Sequence, residues 1–74
     1  MMRSIRILGM RFNLRPRLIH DQPIKTVEKL AYVEFPLSET LKLARWHNGE
    51  WRDDKLRPFE GKPVAWYSIE VPHG

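Results

Sequence analysis

Apolar and polar residues alternate over several stretches of this chain. Met10, Phe12 and Leu14 interleave with Arg11, Asn13 and Arg15 in the period of two that a half-buried strand requires. Ile5 and Ile7 carry the same alternation one residue out of phase. An extra residue at Gly9, accommodated as a β-bulge, repairs the phase and predicts one strand over residues 3–14. Ile5, Ile7, Met10, Phe12 and Leu14 then share one face, and Arg6, Arg11, Asn13 and Arg15 the other. Pro16 has no N–H for a ladder and is expected to end that strand.

Arg17 to Lys25, with His20, Asp21 and Pro23, reads as a loop. The next strand is expected over residues 26–35, with Val27, Ala31, Val33 and Phe35 on one side and Glu28, Tyr32 and Glu34 on the other; Lys29 and Leu30 blur the pattern. Leu37, Leu41 and Ala44 fit a helical stripe, with Ser38 as N-cap and Gly49 as stop, so residues 37–47 are compatible with a short helix. Asn48-Gly49 argues the other way. Both positions of a type I′ turn need positive φ, and a two-residue turn there pairs His47 with Glu50 and sets Trp46 across from Trp51. The hairpin is the favoured reading. After a polar connection from Asp53 to Pro63, Val64 to Val71 is the most β-prone run, bracketed by Pro63 and Pro72, which are expected to limit edge pairing. His73 and Gly74 are expected to be loose. The fold class that follows is mainly β: a small antiparallel sheet or partly closed barrel of four or five strands, with residues 37–47 as strand or short helix.

The length of 74 residues implies one domain over 1–74 and leaves little apolar material beyond the core. Catalysis needs a shielded pocket with converging polar groups, which a core this small does not readily spare. With no cysteine in the chain, disulfide staples, thiolate metal sites and thiol nucleophiles are excluded. A reducing, cytoplasmic setting is expected. No run resembles a signal peptide or a membrane span.

The net charge of +4 is unevenly placed: Arg3, Arg6, Arg11, Arg15 and Arg17 all precede the first acidic residue, Asp21. From there on, eight basic residues face nine acidic ones, so the basic character belongs to the N-terminal strand. Arg6, Arg11, Asn13, Arg15 and Arg17 form the one constellation with positive chemical content. Arginine on a sheet face contacts phosphates or carboxylates in a fork geometry and stacks on rings. The strip reads equally as a phosphate track, as a dock for an acidic protein surface, or as a solvated face that resists edge pairing. Trp46, Trp51, Trp66 and Tyr67 are expected to fill the core. Trp66 and Tyr67, adjacent on a strand, must face opposite sides, and either one on the outer face would anchor a partner.

Other constellations carry less. His20, His47 and His73 lack metal-ligand spacing, no phosphate-cradling glycine loop is present, and His20-Asp21 has no serine in a nucleophile-elbow context. Asp53-Asp54 reads as a turn. Neither metal nor cofactor is expected, and no enzyme.

Two runs carry a resemblance: Ala44-Arg45-Trp46-His47-Asn48-Gly49-Glu50-Trp51, then Val64-Ala65-Trp66-Tyr67-Ser68-Ile69-Glu70-Val71-Pro72. About residues 41–72 resemble small proteins of phages and prophages that have an N-G-x-W hairpin and a tail with valine, tryptophan and proline. Many of those are domains of unknown function. The resemblance implies an accessory protein of a mobile element acting by stoichiometric binding to host machinery, a group that includes anti-CRISPR and other anti-defence inhibitors. The resulting expectation is a non-enzymatic β-rich module that binds a host protein or nucleoprotein complex, with direct nucleic-acid binding through the same arginines as the alternative and no membrane partner.

Overall fold

The computed structural model describes residues 3–70. Expectations for the Val27 side chain and for Val71 to Gly74 fall outside that description. Six strands form one antiparallel sheet: β1 (Arg3–Ile7), β2 (Met10–Leu18), β3 (Leu30–Glu34), β4 (Lys42–His47), β5 (Glu50–Arg52) and β6 (Ala65–Glu70), in the order β1-β2-β6-β3-β4-β5. The sheet is open, with β1 and β5 at its edges, so the barrel alternative is set aside.

The out-of-phase isoleucines find their partners through a hairpin and not through a bulge. Leu8 and Gly9 form a two-residue turn with φ of 52° and 80°. Ile7 then lies across from Met10, Ile5 from Phe12 and Arg6 from Arg11. Cross-strand partners share a face, so the expected sorting of side chains holds, but over two strands. The count is therefore six, one above the expected upper limit.

Pro16 does not end β2, which continues to Leu18 alongside β6. The physical reason is the alternation of ladder bonds. A two-residue turn makes Ile7 and Met10 a hydrogen-bonded pair, so Met10, Phe12 and Leu14 direct their N–H groups toward β1 while Asn13, Arg15 and Arg17 direct theirs toward β6. Position 16 belongs to the first set, so its missing N–H falls on the β1 side and leaves the ladder with β6 intact.

The stretch expected as a strand from residue 26 begins as a 3₁₀ turn, Thr26–Lys29, which accounts for the blurred alternation at Lys29 and Leu30. The helical stripe after Pro36 does not form. Leu37 adopts a φ of 63°, β4 pairs with β3 and β5, and no α-helix is present among the described residues. Asn48 and Gly49 take φ of 51° and 78° in the expected hairpin, and Trp46 meets Trp51 edge-on with ring centroids 5.1 Å apart. The last strand lies between β2 and β3 in the middle of the sheet, so Pro63 does not protect an edge there.

Ala31, Val33, Ala44, Trp51 and Trp66 form the core on one face, with Phe35, Trp46 and Phe59 packed against it. Phe59 reaches in from the Asp53 to Pro63 connection and meets Phe35 at 4.9 Å. The indole N–H of Trp66 donates to the carbonyls of Leu18 at 3.1 Å and Asp21 at 2.8 Å, pinning the loop after β2 over the same face. On the opposite face Leu14 and Tyr67 are buried, and the Tyr67 hydroxyl donates to Glu34 Oε1 at 2.7 Å.

Candidate functional site: the arginine face of the first hairpin

The five residues of the basic strip do share one face. From the register, Arg6 lies across from Arg11, Asn13 from Glu70, Arg15 from Ser68 and Arg17 from Trp66. Asn13 is half-buried, and their surroundings divide the four arginines into three groups.

Arg17 belongs to the core. Its guanidinium lies 4.6 Å from the Trp66 ring centroid and donates from Nη1 to Glu28 Oε2 at 2.5 Å, with both side chains mostly buried. Glu28 also accepts the N–H of Lys25 at 3.2 Å. The Arg17 hydrogen bond, followed by that backbone donor, holds the Glu28 carboxyl below its ordinary value of 4.5. With Nη1 bonded to Glu28 and its centre lying over the indole, this guanidinium is tied to its own chain and is far less open to a partner than the exposed arginines. Arg15 is intermediate: exposed, with Nη1 3.7 Å from Glu70 Oε1, a loose surface pair.

Arg6 and Arg11 remain. They face each other directly across β1 and β2, both are exposed, and among the described residues neither forms an ion pair. Like charges directly opposite on a sheet disfavour the pair unless an anion lies between them. A second such pair, Arg45 and Arg52 on β4 and β5, makes the contrast clear. There Arg52 Nη2 is held by Glu50 Oε1 at 2.6 Å.

The aromatic anchors expected at Trp66 and Tyr67 are not available. Trp66 is 0% exposed and Tyr67 9%, because β6 is the central strand and both of its faces are covered. Exposed apolar groups occur at the tip of the first hairpin. Leu8 is 99% exposed with its backbone in the left-handed region, and Met10 is 59% exposed beside a half-exposed Ile7. Left-handed backbone costs a branched residue about 1–2 kcal/mol relative to glycine, and asparagine bears it more easily. A bulge at Gly9 leaves Leu8 inside a strand, which is why the sequence pattern does not single it out. The signal that locates it is two alternating runs out of phase, separated by a residue pair that ends in glycine.

The remaining candidates take structural roles. Asp53 Oδ1 accepts the N–H groups of Lys55 and Arg57, each at 2.9 Å, which is the expected turn. Two open depressions of about 570 Å³ each flank the Phe59 loop, and no serine, threonine or histidine lines either. Among the described residues no cluster of three or more potential ligands could hold a metal, and no helix is long and apolar enough to cross a membrane. Comparison of the chain with protein-family models, with curated protein sequences and with solved structures gives no match in any of the three.

Proposed function

We propose that this protein is a non-catalytic binding module that docks an acidic, partly apolar protein surface through its first hairpin. The observation that carries this reading is the hairpin tip itself. An exposed leucine in an unfavourable backbone conformation sits beside Ile7 and Met10, and it is flanked by two opposed arginines that form no ion pair among the described residues. Leu8 would seat in an apolar recess of the partner, while Arg6 and Arg11 would receive its carboxylates and Asn13 and Arg15 would extend the contact along β2. Apolar anchors rimmed by arginine are typical of protein interfaces. The host-directed accessory role implied by the phage resemblance is the biological setting proposed for this interaction, with a component of a nucleic-acid-handling or defence machine as partner.

Direct nucleic-acid binding is less well supported. With Arg17 committed to Glu28 and Arg15 near Glu70, two arginines of the strip remain without a carboxylate partner among the described residues, too short a track for strong release of counterions. No aromatic ring stands among them for a base to stack on.

The test compares the parent with Leu8→Asp and with an Arg6→Glu, Arg11→Glu double variant. Each is immobilised and exposed to nuclease-treated bacterial lysate, and titrated in parallel with labelled DNA and RNA at low and near-physiological salt. One protein held at fixed stoichiometry by the parent and released by both variants is the expected result. Tight, salt-dependent nucleic-acid binding that the arginine variant abolishes and Leu8→Asp leaves intact would overturn the reading.

A further inference from the structure

The two edges of the sheet are finished differently. At the β5 edge the chain folds back on itself: Arg52 bridges to Pro58, the Asp53 N–H donates to the Arg57 carbonyl at 2.9 Å, and the Leu56 N–H donates to the Asp53 carbonyl. That edge is short and covered. At the β1 edge, β2 is the sole strand partner among the described residues. With Ile7 and Met10 a hydrogen-bonded pair, Ile5 and Ile7 spend their N–H and C=O groups on β2, whereas Ser4 and Arg6 point theirs outward. An outer edge with free donors and acceptors is a template for another strand.

We infer that β1 is a strand-addition site, and that its occupant is an extended acidic segment of the partner protein, of about five residues, with carboxylates alternating with apolar side chains. This rests on the docking role proposed for the arginine face and specifies its geometry. A strand added beside β1 continues both faces of the sheet. On one face its carboxylates would lie next to Arg6 and, one strand further, Arg11; on the other its apolar side chains would lie next to Ile5 and Ile7, with Met10 and Phe12 behind. Five residues match the length of β1, about 17 Å at the rise of an extended strand. A second copy of this chain is the poorer occupant, because pairing β1 with itself gathers two Arg6 and two Arg11 side chains on one face with no carboxylate among them.

The probe is a fluorescein-labelled peptide of alternating valine and glutamate, Val-Glu-Val-Glu-Val-Glu-Val, with a block peptide of the same composition as control. Binding is read by anisotropy and amide exchange by NMR. The expected result is binding of the alternating peptide at least tenfold tighter than the block peptide. The Ser4 and Arg6 amides should gain exchange protection, while those of Ile5 and Ile7 are already protected in the free protein. Ser4→Pro should weaken binding at least tenfold and Ser4→Ala should not, since proline removes the outward donor at the kind of position that Pro16 already occupies in β2. Folding of the proline variant is checked from the indole resonances. If charge reversal at Arg6 and Arg11 abolishes binding but the two peptides bind alike and Ser4 and Arg6 stay unprotected, strand addition falls and the basic docking face stands. If neither peptide binds at millimolar concentration, or if the parent protects Ser4 and Arg6 by dimerising, strand addition is overturned.

Discussion

Replacing Arg17 by methionine separates the arginine that builds the fold from those that face outward. Methionine keeps an unbranched apolar stem and deletes the charge. Two interactions go with it: the guanidinium over the Trp66 ring, about 0.5–2 kcal/mol for a cation–π contact, and the charged hydrogen bond to Glu28, about 1.5–3 kcal/mol for its class. The methionine stem recovers part of this against Trp66, so the net loss is about 2–3 kcal/mol. A domain of 74 residues has a total stability of about 4–11 kcal/mol at the usual value per residue, so the variant stays folded at room temperature. At about 4–8 °C per kcal/mol for a domain of this size, Tm should fall by about 10–20 °C, measured by far-UV circular dichroism. Arg11→Met, which only relieves the repulsion with Arg6, should stay within about 0.5 kcal/mol of the parent. The pH dependence supplies a second reading. Because the folded-state Glu28 carboxyl titrates below 4.5, the parent's advantage over Arg17→Met is full above the ordinary carboxylate range and is lost as pH falls through the lowered value. A Tm drop under about 3 °C, or an equal drop for Arg11→Met, refutes the assignment of Arg17 to the core.

Two further substitutions test the turn and the core. Leu8→Asn places at the hairpin tip a residue that tolerates positive φ, and should raise stability by about 0.5–1 kcal/mol in urea unfolding while weakening capture of the partner; a loss of stability would mean that Leu8 packs on its own chain. Ser68 is buried with no hydrogen-bond partner for its hydroxyl among the described residues, so Ser68→Ala should raise the urea midpoint by the equivalent of about 1 kcal/mol.

What was legible in the sequence were the features governed by local rules. Asn48-Gly49 announced its turn and the facing tryptophans, and alternation around Phe12 and Val33 assigned side chains to faces. Gly9 and Pro16 differ from expectation for separate reasons. A glycine between two out-of-phase runs fits a bulge or a two-residue turn equally well by pattern, whereas the meaning of Pro16 depends on which neighbouring strand its backbone faces, and that is decided by β1 and by β6, far away in the chain. The site divided in the same way. That Arg6, Arg11, Asn13, Arg15 and Arg17 share a face followed from period two, but the withdrawal of Arg17 depended on Glu28 and Trp66, which no spacing rule connects to it. Likewise Trp66 and Tyr67 looked like possible anchors until β6 proved to be central.

The placement of β6 also has a consequence for synthesis. The strand that comes last among the six is the one that joins the first hairpin to the β3–β5 meander, so until it has left the ribosome only a two-stranded and a three-stranded unit are available to pair, with no strand between them. Each can form early from near neighbours, yet Leu14 and Val33 stay uncovered until β6 arrives with Tyr67 and Trp66. Completion is therefore a single late event, and the chain is most exposed to proteases and to wrong strand pairing in the interval just before it.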